Sequence, residues 1–230
     1  MELAELGPVI VTGGASGLGL AVAEAVDQNG GTAVVFDREQ VTNGFESEVV
    51  DLADTRAAEA AVERVADRHG GVGAVVTCAG TDKCGRLEDV PAEEWENVVK
   101  VNLLGTVAVV RAALPHLERE HGKVVTVAST LGIKAVSDAT AYCASKFGVV
   151  GFTRALAAET AGRIGVTLLI PGGMQTHFFD ARPDQYKPPP DLELNDPANV
   201  ATTVVFALTQ PPGSEIRELV ATHSTETSWP

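Results

Sequence analysis

The chain has 230 residues, 45% apolar and 21% charged, a globular composition that excludes a long disordered polymer. Acidic residues outnumber basic ones 31 to 17, for a net charge of −14, which opposes nucleic-acid binding and attraction to anionic membranes. Cys78, Cys84 and Cys143 show no CxxC spacing and the five histidines no ligand cluster, so neither disulfide nor metal is expected and a reducing cytoplasm fits best.

The first apolar run, Val9–Thr12, reads as a strand and is too short for a signal-peptide core or a membrane span. It leads straight into TGGASGLG at 12–19, where Gly13, Gly17 and Gly19 are spaced GxxxGxG before a helix over Leu18–Gln28. Glycines at a strand-to-helix turn let backbone approach a pyrophosphate closely, and the helix N-terminus favours its charge. The second strand, Thr32–Phe36, is followed at once by Asp37. A carboxylate there can accept from both adenosine ribose hydroxyls and repels a 2′-phosphate, which favours NAD over NADP. Ser16 supplies no cation at the turn, whereas Arg38 could offer a phosphate contact and weaken the discrimination.

Glu48–Asp51 and Ala74–Cys78 read as strands around a helix over Thr55–Arg68. A long helical stretch, Ala92–Glu120, contains Asn102, a mediocre helix former, and Pro115, which should end or kink it near its C-terminal side. The strand Lys123–Ala128 is followed by Ser129, at the strand end where α/β sheets place ligands. The helix Ala141–Ala161 carries Tyr142 and Lys146 on one face, four residues apart. An ammonium beside a phenol favours phenolate, but the pair by itself does not decide between chemistry and an amphipathic coincidence. Ala144 and Ser145 between them are small, as avoidance of crowding a cofactor would require. Val166–Ile170, a helix around Pro197–Leu208 and a strand Ile216–Ala221 complete the alternation.

This alternation predicts a Rossmann-type α/β fold: a doubly wound parallel sheet of about seven strands with helices on both faces. No repeat or linker divides the chain, so one domain over 1–230 is expected, with residues 177–195 as a long loop suited to a substrate lid. His177, Phe178 and Phe179 either floor the substrate pocket or, for the phenylalanines, anchor the loop to the core.

In order and spacing, TGGASGLG, Asp51-Leu52, CAG at 78–80, Asn102, Ser129, YCASK at 142–146 and PGGMQT at 171–176 resemble the short-chain dehydrogenase/reductase family, in its short single-domain branch. The resemblance covers nearly the whole chain. It implies Tyr142 as general acid/base, Lys146 lowering the Tyr142 pKa and binding the nicotinamide ribose, Ser129 on the substrate oxygen, and Asn102 holding a water that links Lys146 to solvent. It further implies cofactor contacts from Gly13, Ser16, Gly17, Leu18, Gly19, Asp37, Asp51, Leu52, Cys78, Ala79, Gly80, Pro171, Gly172 and Thr176. A free phenol ionises near pH ~10, so a tyrosine base needs such help. Asp51 and Thr176, taken singly, equally suit turn or capping roles.

Thr77-Cys78 replaces the family's common Asn-Asn pair, Gly173-Met174 stands where a branched residue often follows the Pro-Gly, and SEIRELVATHSTETSWP replaces its glycine-rich C-terminal segment. The implied activity is NAD-dependent hydride transfer with a small to medium secondary alcohol or ketone (EC 1.1.1.-), by a homodimer or homotetramer with no nucleic-acid or membrane partner. A 3-hydroxyacyl-CoA or hydroxysteroid-type dehydrogenase of the same family is an alternative, and a cofactor-sensing binding protein is the non-enzymatic one.

Overall fold

The computed structural model describes residues 2–229. Its strands are short Val- and Ile-rich runs that cannot be left exposed on either side, and they assemble accordingly into a buried parallel sheet. In chain order the elements are β1 (Pro8–Thr12), α1 (Gly17–Gln28), β2 (Thr32–Asp37), β3 (Glu46–Val49), α2 (Thr55–His69), β4 (Ala74–Thr77) and α3 (Ala92–Val99). A π-helical turn, Lys100–Gly105, joins α3 to α4 (Thr106–Leu117). Then follow β5 (Lys123–Val127), α5 (Thr140–Glu159), β6 (Gly165–Pro171), α6 (Pro197–Leu208) and β7 (Glu218–Ala221). The seven-stranded sheet has the order β3-β2-β1-β4-β5-β6-β7, with every pairing parallel.

The strand period of two divides the core into two layers. Ile10, Val34, Phe36, Val75 and Val124 face α2 and α4, while Val9, Val11, Val35, Val76 and Val125 face α1 and α6. Local signals place the helices: the Asp54 carboxylate accepts from the Arg56 and Ala57 N–H groups at the start of α2. Asp196 accepts from the Ala198 N–H, and Pro197 opens α6. The helical stretch Ala92–Leu117 is long and apolar enough by composition to cross a membrane; here α4 buries Val109, Val110, Ala113 and Leu117 in the layer shared with α2.

Three expectations shift. The third strand lies two residues earlier than Glu48–Asp51, because this edge strand registers Phe36 with Glu48 and lets Arg64 and Arg68 pair with Glu46 and Glu48. The long helix ends at Leu117 rather than Glu120, two residues after Pro115, so the proline stands in the last turn. Asn102 interrupts it as a π-helical turn. The strand order reverses between β1 and β4, and their carboxyl ends, Thr12 and Thr77, stand side by side. A crevice at such a switch point is where open α/β sheets bind ligands.

Candidate active site

The glycine turn lies at this crevice. Gly13 has a φ of 71°, and a Cβ on it would come within 2.7 Å of the Ala79 Cα; on Gly19 it would come within 2.2 Å of the Gly13 carbonyl oxygen. Only glycine permits both conformation and contact. The Ala79 N–H donates to Thr12 Oγ1 at 3.0 Å, tying the loop after β4 to the end of β1. Ser16 makes no side-chain cap, so the first N–H groups of α1 face the crevice without one. Thr176 lies across it, 3.3 Å from where a Gly17 side chain would begin. This cradle of free amides and absent side chains fits a dinucleotide pyrophosphate.

Asp37 ends β2 and accepts from the Ala15 N–H at 2.9 Å and the Glu39 N–H at 3.1 Å. It therefore braces the glycine turn, and each carboxylate oxygen keeps a lone pair for a further donor. Arg38 is exposed and 3.9 Å from Glu39. Asp51 accepts from the Ala53 N–H, a turn role, and Thr176 accepts from the Phe178 N–H as the cap of a short 3-10 turn. Leu18 and Leu52 are buried, and Leu52 packs where a side chain on Gly105 would stand. Cys78 and Gly80 flank Ala79 in the β4 loop, and Gly80 lies between Asn102 and Lys146. Pro171 ends β6, and the Gly172 N–H donates to the Ala221 carbonyl at 3.1 Å.

Ser129, just beyond β5, meets α5 from the opposite side. The Ser129 side chain lies close enough to the Tyr142 hydroxyl to lower its pKa, and its oxygen accepts from the Leu131 N–H. The Lys146 ammonium donates to the Val127 carbonyl at 2.9 Å and lies 5.7 Å from the centre of the Tyr142 ring. The structure thus brings Ser129, Tyr142 and Lys146 together. Burial pushes the Tyr142 phenol up to about 12, against the lowering effect of Ser129, the direction opposite to that expected from a neighbouring lysine. The ammonium is directed at Val127, and the desolvation of a buried phenolate outweighs it. Burial also holds Lys146 down to about 8.

Asn102 is buried in the π-helical turn. Its Oδ1 accepts from the Thr81 N–H at 2.8 Å, and its Nδ2 donates to the Thr81 carbonyl and to Ser145 Oγ. The Asn102 side chain is thus a clamp between the β4 loop and α5. Ser145, read as small to spare a cofactor, faces that clamp and donates to the Tyr142 carbonyl at 2.8 Å. A lone serine in YCASK gives no signal for this; it depends on which face α5 turns to the π-helical turn.

Above Tyr142 lies the segment after β6. The Phe178 ring is 5.6 Å from the Tyr142 ring, and Phe179 packs edge-on against Phe178. His177 is 87% exposed and bonded to Asp180 at 2.8 Å. The Arg182 guanidinium covers both phenylalanine rings and bonds to Asp82, whose side chain is 4% exposed, at 2.6 Å. The sequence carries no hint of this pair, whose members stand 100 residues apart.

A family pattern described as short chain dehydrogenase matches residues 8–187. The chain is 30% identical over 222 residues to an uncharacterized oxidoreductase of Staphylococcus aureus (strain MW2), covering 91% of this chain and 94% of that one. It is 30% identical over 217 residues to a (2S)-[(R)-hydroxy(phenyl)methyl]succinyl-CoA dehydrogenase subunit of Thauera aromatica, covering 86% and 87%. In fold it is similar to an alcohol dehydrogenase from the archaeon Thermococcus sibiricus complexed with 5-hydroxy-NADP, at a TM-score of 0.85, 23% identity and coverage of 96% and 97%. With the family pattern running from β1 into the segment above Tyr142, this chain belongs to the short-chain dehydrogenases and is an NAD(P)-dependent oxidoreductase acting on CH–OH groups.

Proposed function

We propose that this chain interconverts small to medium secondary alcohols and ketones, with NAD preferred to NADP and Tyr142 as the general acid/base. The observation that carries the reading is the placement of Tyr142 beside Ser129, its ring centre 5.7 Å from the buried Lys146 ammonium. Bound NAD(P) supplies hydride transfer chemistry. Tyr142 gives a proton to, or takes it from, the substrate oxygen, while Ser129 stabilises that oxygen as its charge changes. Lys146 holds the nicotinamide ribose and favours the phenolate once its donors turn toward it. Asn102 fixes the β4 loop and keeps Lys146 beside a path to solvent.

Gly13, Ser16, Gly17, Leu18 and Gly19 hold the pyrophosphate side, Asp37 the adenosine ribose, and Asp51 with Leu52 the adenine. Cys78, Ala79 and Gly80 line the ribose, and Pro171, Gly172 and Thr176 hold the nicotinamide carboxamide. The whole chain acts as one domain, and residues 177–195 close over the substrate, pinned by the Arg182–Asp82 pair. Leu104 and Phe147, 45% and 44% exposed, are apolar side chains that suit a subunit contact in a homodimer or homotetramer.

A panel of alcohols and ketones with NAD(H) and NADP(H), read by cofactor absorbance, tests this. Turnover on secondary alcohols with higher kcat/KM for NAD is expected; the reverse preference would mean that Arg38 outweighs Asp37. The Thauera aromatica relative, named for a succinyl-CoA substrate, favours a second reading, an acyl-CoA substrate. Hydroxyacyl-CoA thioesters in the same panel decide between them.

A further inference from the structure

The segment after β7 returns over the carboxyl edge of the sheet and ends against the active site. Glu226 Oε2 accepts from the Gly173 N–H at 2.9 Å, and its other oxygen accepts from the Ser228 N–H at 3.0 Å. Burial works against this carboxylate, but the Gly173 and Ser228 bonds outweigh it and hold the pKa below the usual value. The approach is possible only because residue 172 is glycine: a Cβ there would stand 2.6 Å from Glu226 Oε2. A second anchor follows two residues on, where Ser228 Oγ lies 2.7 Å from Thr130 Oγ1, next to Ser129. The tail thus grips the turn after β6 and the residue beside Ser129 at once. Such a carboxylate-to-backbone bond is of the stronger, charge-assisted kind.

We propose that Glu226 is a positioning residue: its carboxylate sets the backbone of the Gly172–Gly173 turn, and through it the nicotinamide half of the cofactor site. This inference rests on the reading of Pro171–Thr176 as the nicotinamide-binding segment. Among the described residues, no hydrogen bond or ion pair joins the tail to the adenosine half, which is built on the glycine turn and Asp37. Removing the carboxylate therefore weakens the dinucleotide and spares its adenosine fragment. By linkage, occupying the nicotinamide half must in turn order the tail.

The test compares NADH and ADP-ribose binding by calorimetry in the wild type, Glu226→Ala and Glu226→Gln. Glu226→Ala is expected to weaken NADH by about tenfold, the loss of one hydrogen bond to a charged group, with ADP-ribose unchanged within about twofold. Glu226→Gln keeps an acceptor oxygen and recovers most of the loss. Equal weakening of both ligands, or of neither, would overturn the proposal. Hydrogen exchange on the wild type needs no variant: NADH should slow exchange in residues 222–229, and ADP-ribose should not. Equal protection by both ligands, or none by NADH, would also overturn it. A wild type that binds ADP-ribose but not NADH would remove the nicotinamide reading itself, and this inference with it.

Discussion

Replacing Lys146 with methionine should abolish turnover yet relieve the fold of a buried charge. The Lys146 ammonium is 4% exposed, and burial lowers its pKa from 10.5 to about 8. At about 1.4 kcal/mol per pKa unit, the folded chain carries a penalty on the order of 3 kcal/mol at neutral pH. The sign follows from proton counts. Between pH 8 and 10.5 the unfolded chain keeps the lysine proton that the folded chain has released, so unfolding takes up a proton and this group's contribution to stability rises with pH. Cys78 and Tyr142, both pushed up to about 12 by burial, contribute the opposite slope as their unfolded counterparts ionise. Lys146 lowers the Cys78 pKa somewhat, so its removal pushes that thiol further up. Because both groups stay protonated in the folded state up to pH 10 in either protein, their contributions nearly cancel in the difference. Urea denaturation of wild type and Lys146→Met from pH 7 to 10 should therefore show the stability difference moving by about 2–3 kcal/mol in favour of the wild type. A difference constant within about 0.5 kcal/mol across that range would refute the buried-ammonium argument.

Three further outcomes are expected. Tyr142→Phe should reduce kcat by about 10³-fold or more while NADH binding by calorimetry stays near wild type; substantial turnover in that variant removes Tyr142 from the chemistry. Gly19→Ala drives a methyl into the Gly13 carbonyl and should lower stability by about 1–3 kcal/mol in urea titration, so an unmoved midpoint would show that the turn yields freely. Arg182→Ala leaves Asp82 buried without its cationic partner, which should lower stability by about 3–5 kcal/mol and open residues 177–195 to limited proteolysis. Cleavage at the wild-type rate would mean that the phenylalanine contacts alone hold the segment.

The alternation of strands and helices was legible because parallel strands buried on both faces must be nearly continuous apolar runs, and all seven lay within two residues of their observed ends. β3 slipped because an edge strand is half exposed, so charged Glu46 and Glu48 belong to it through partners on α2. Ser129, Tyr142 and Lys146 were readable as spacings, and the structure brings them together. The Asn102–Thr81–Ser145 clamp was not, since each residue there is individually ordinary. Nor was the His177–Asp180 contact, which the 3-10 turn after Thr176 brings together.

Hydropathy period, glycine placement and the order of the polar residues determined the fold class, the family and which side chains stand near the crevice. Those are local properties, written in spacings along the chain. The upward pKa of Tyr142, the direction of the Lys146 ammonium, the Arg182–Asp82 pair and the return of Glu226 to Gly173 were decided only by tertiary structure. Each depends on burial or on contact between segments far apart in sequence, and desolvation has no signature until the chain has closed around the group.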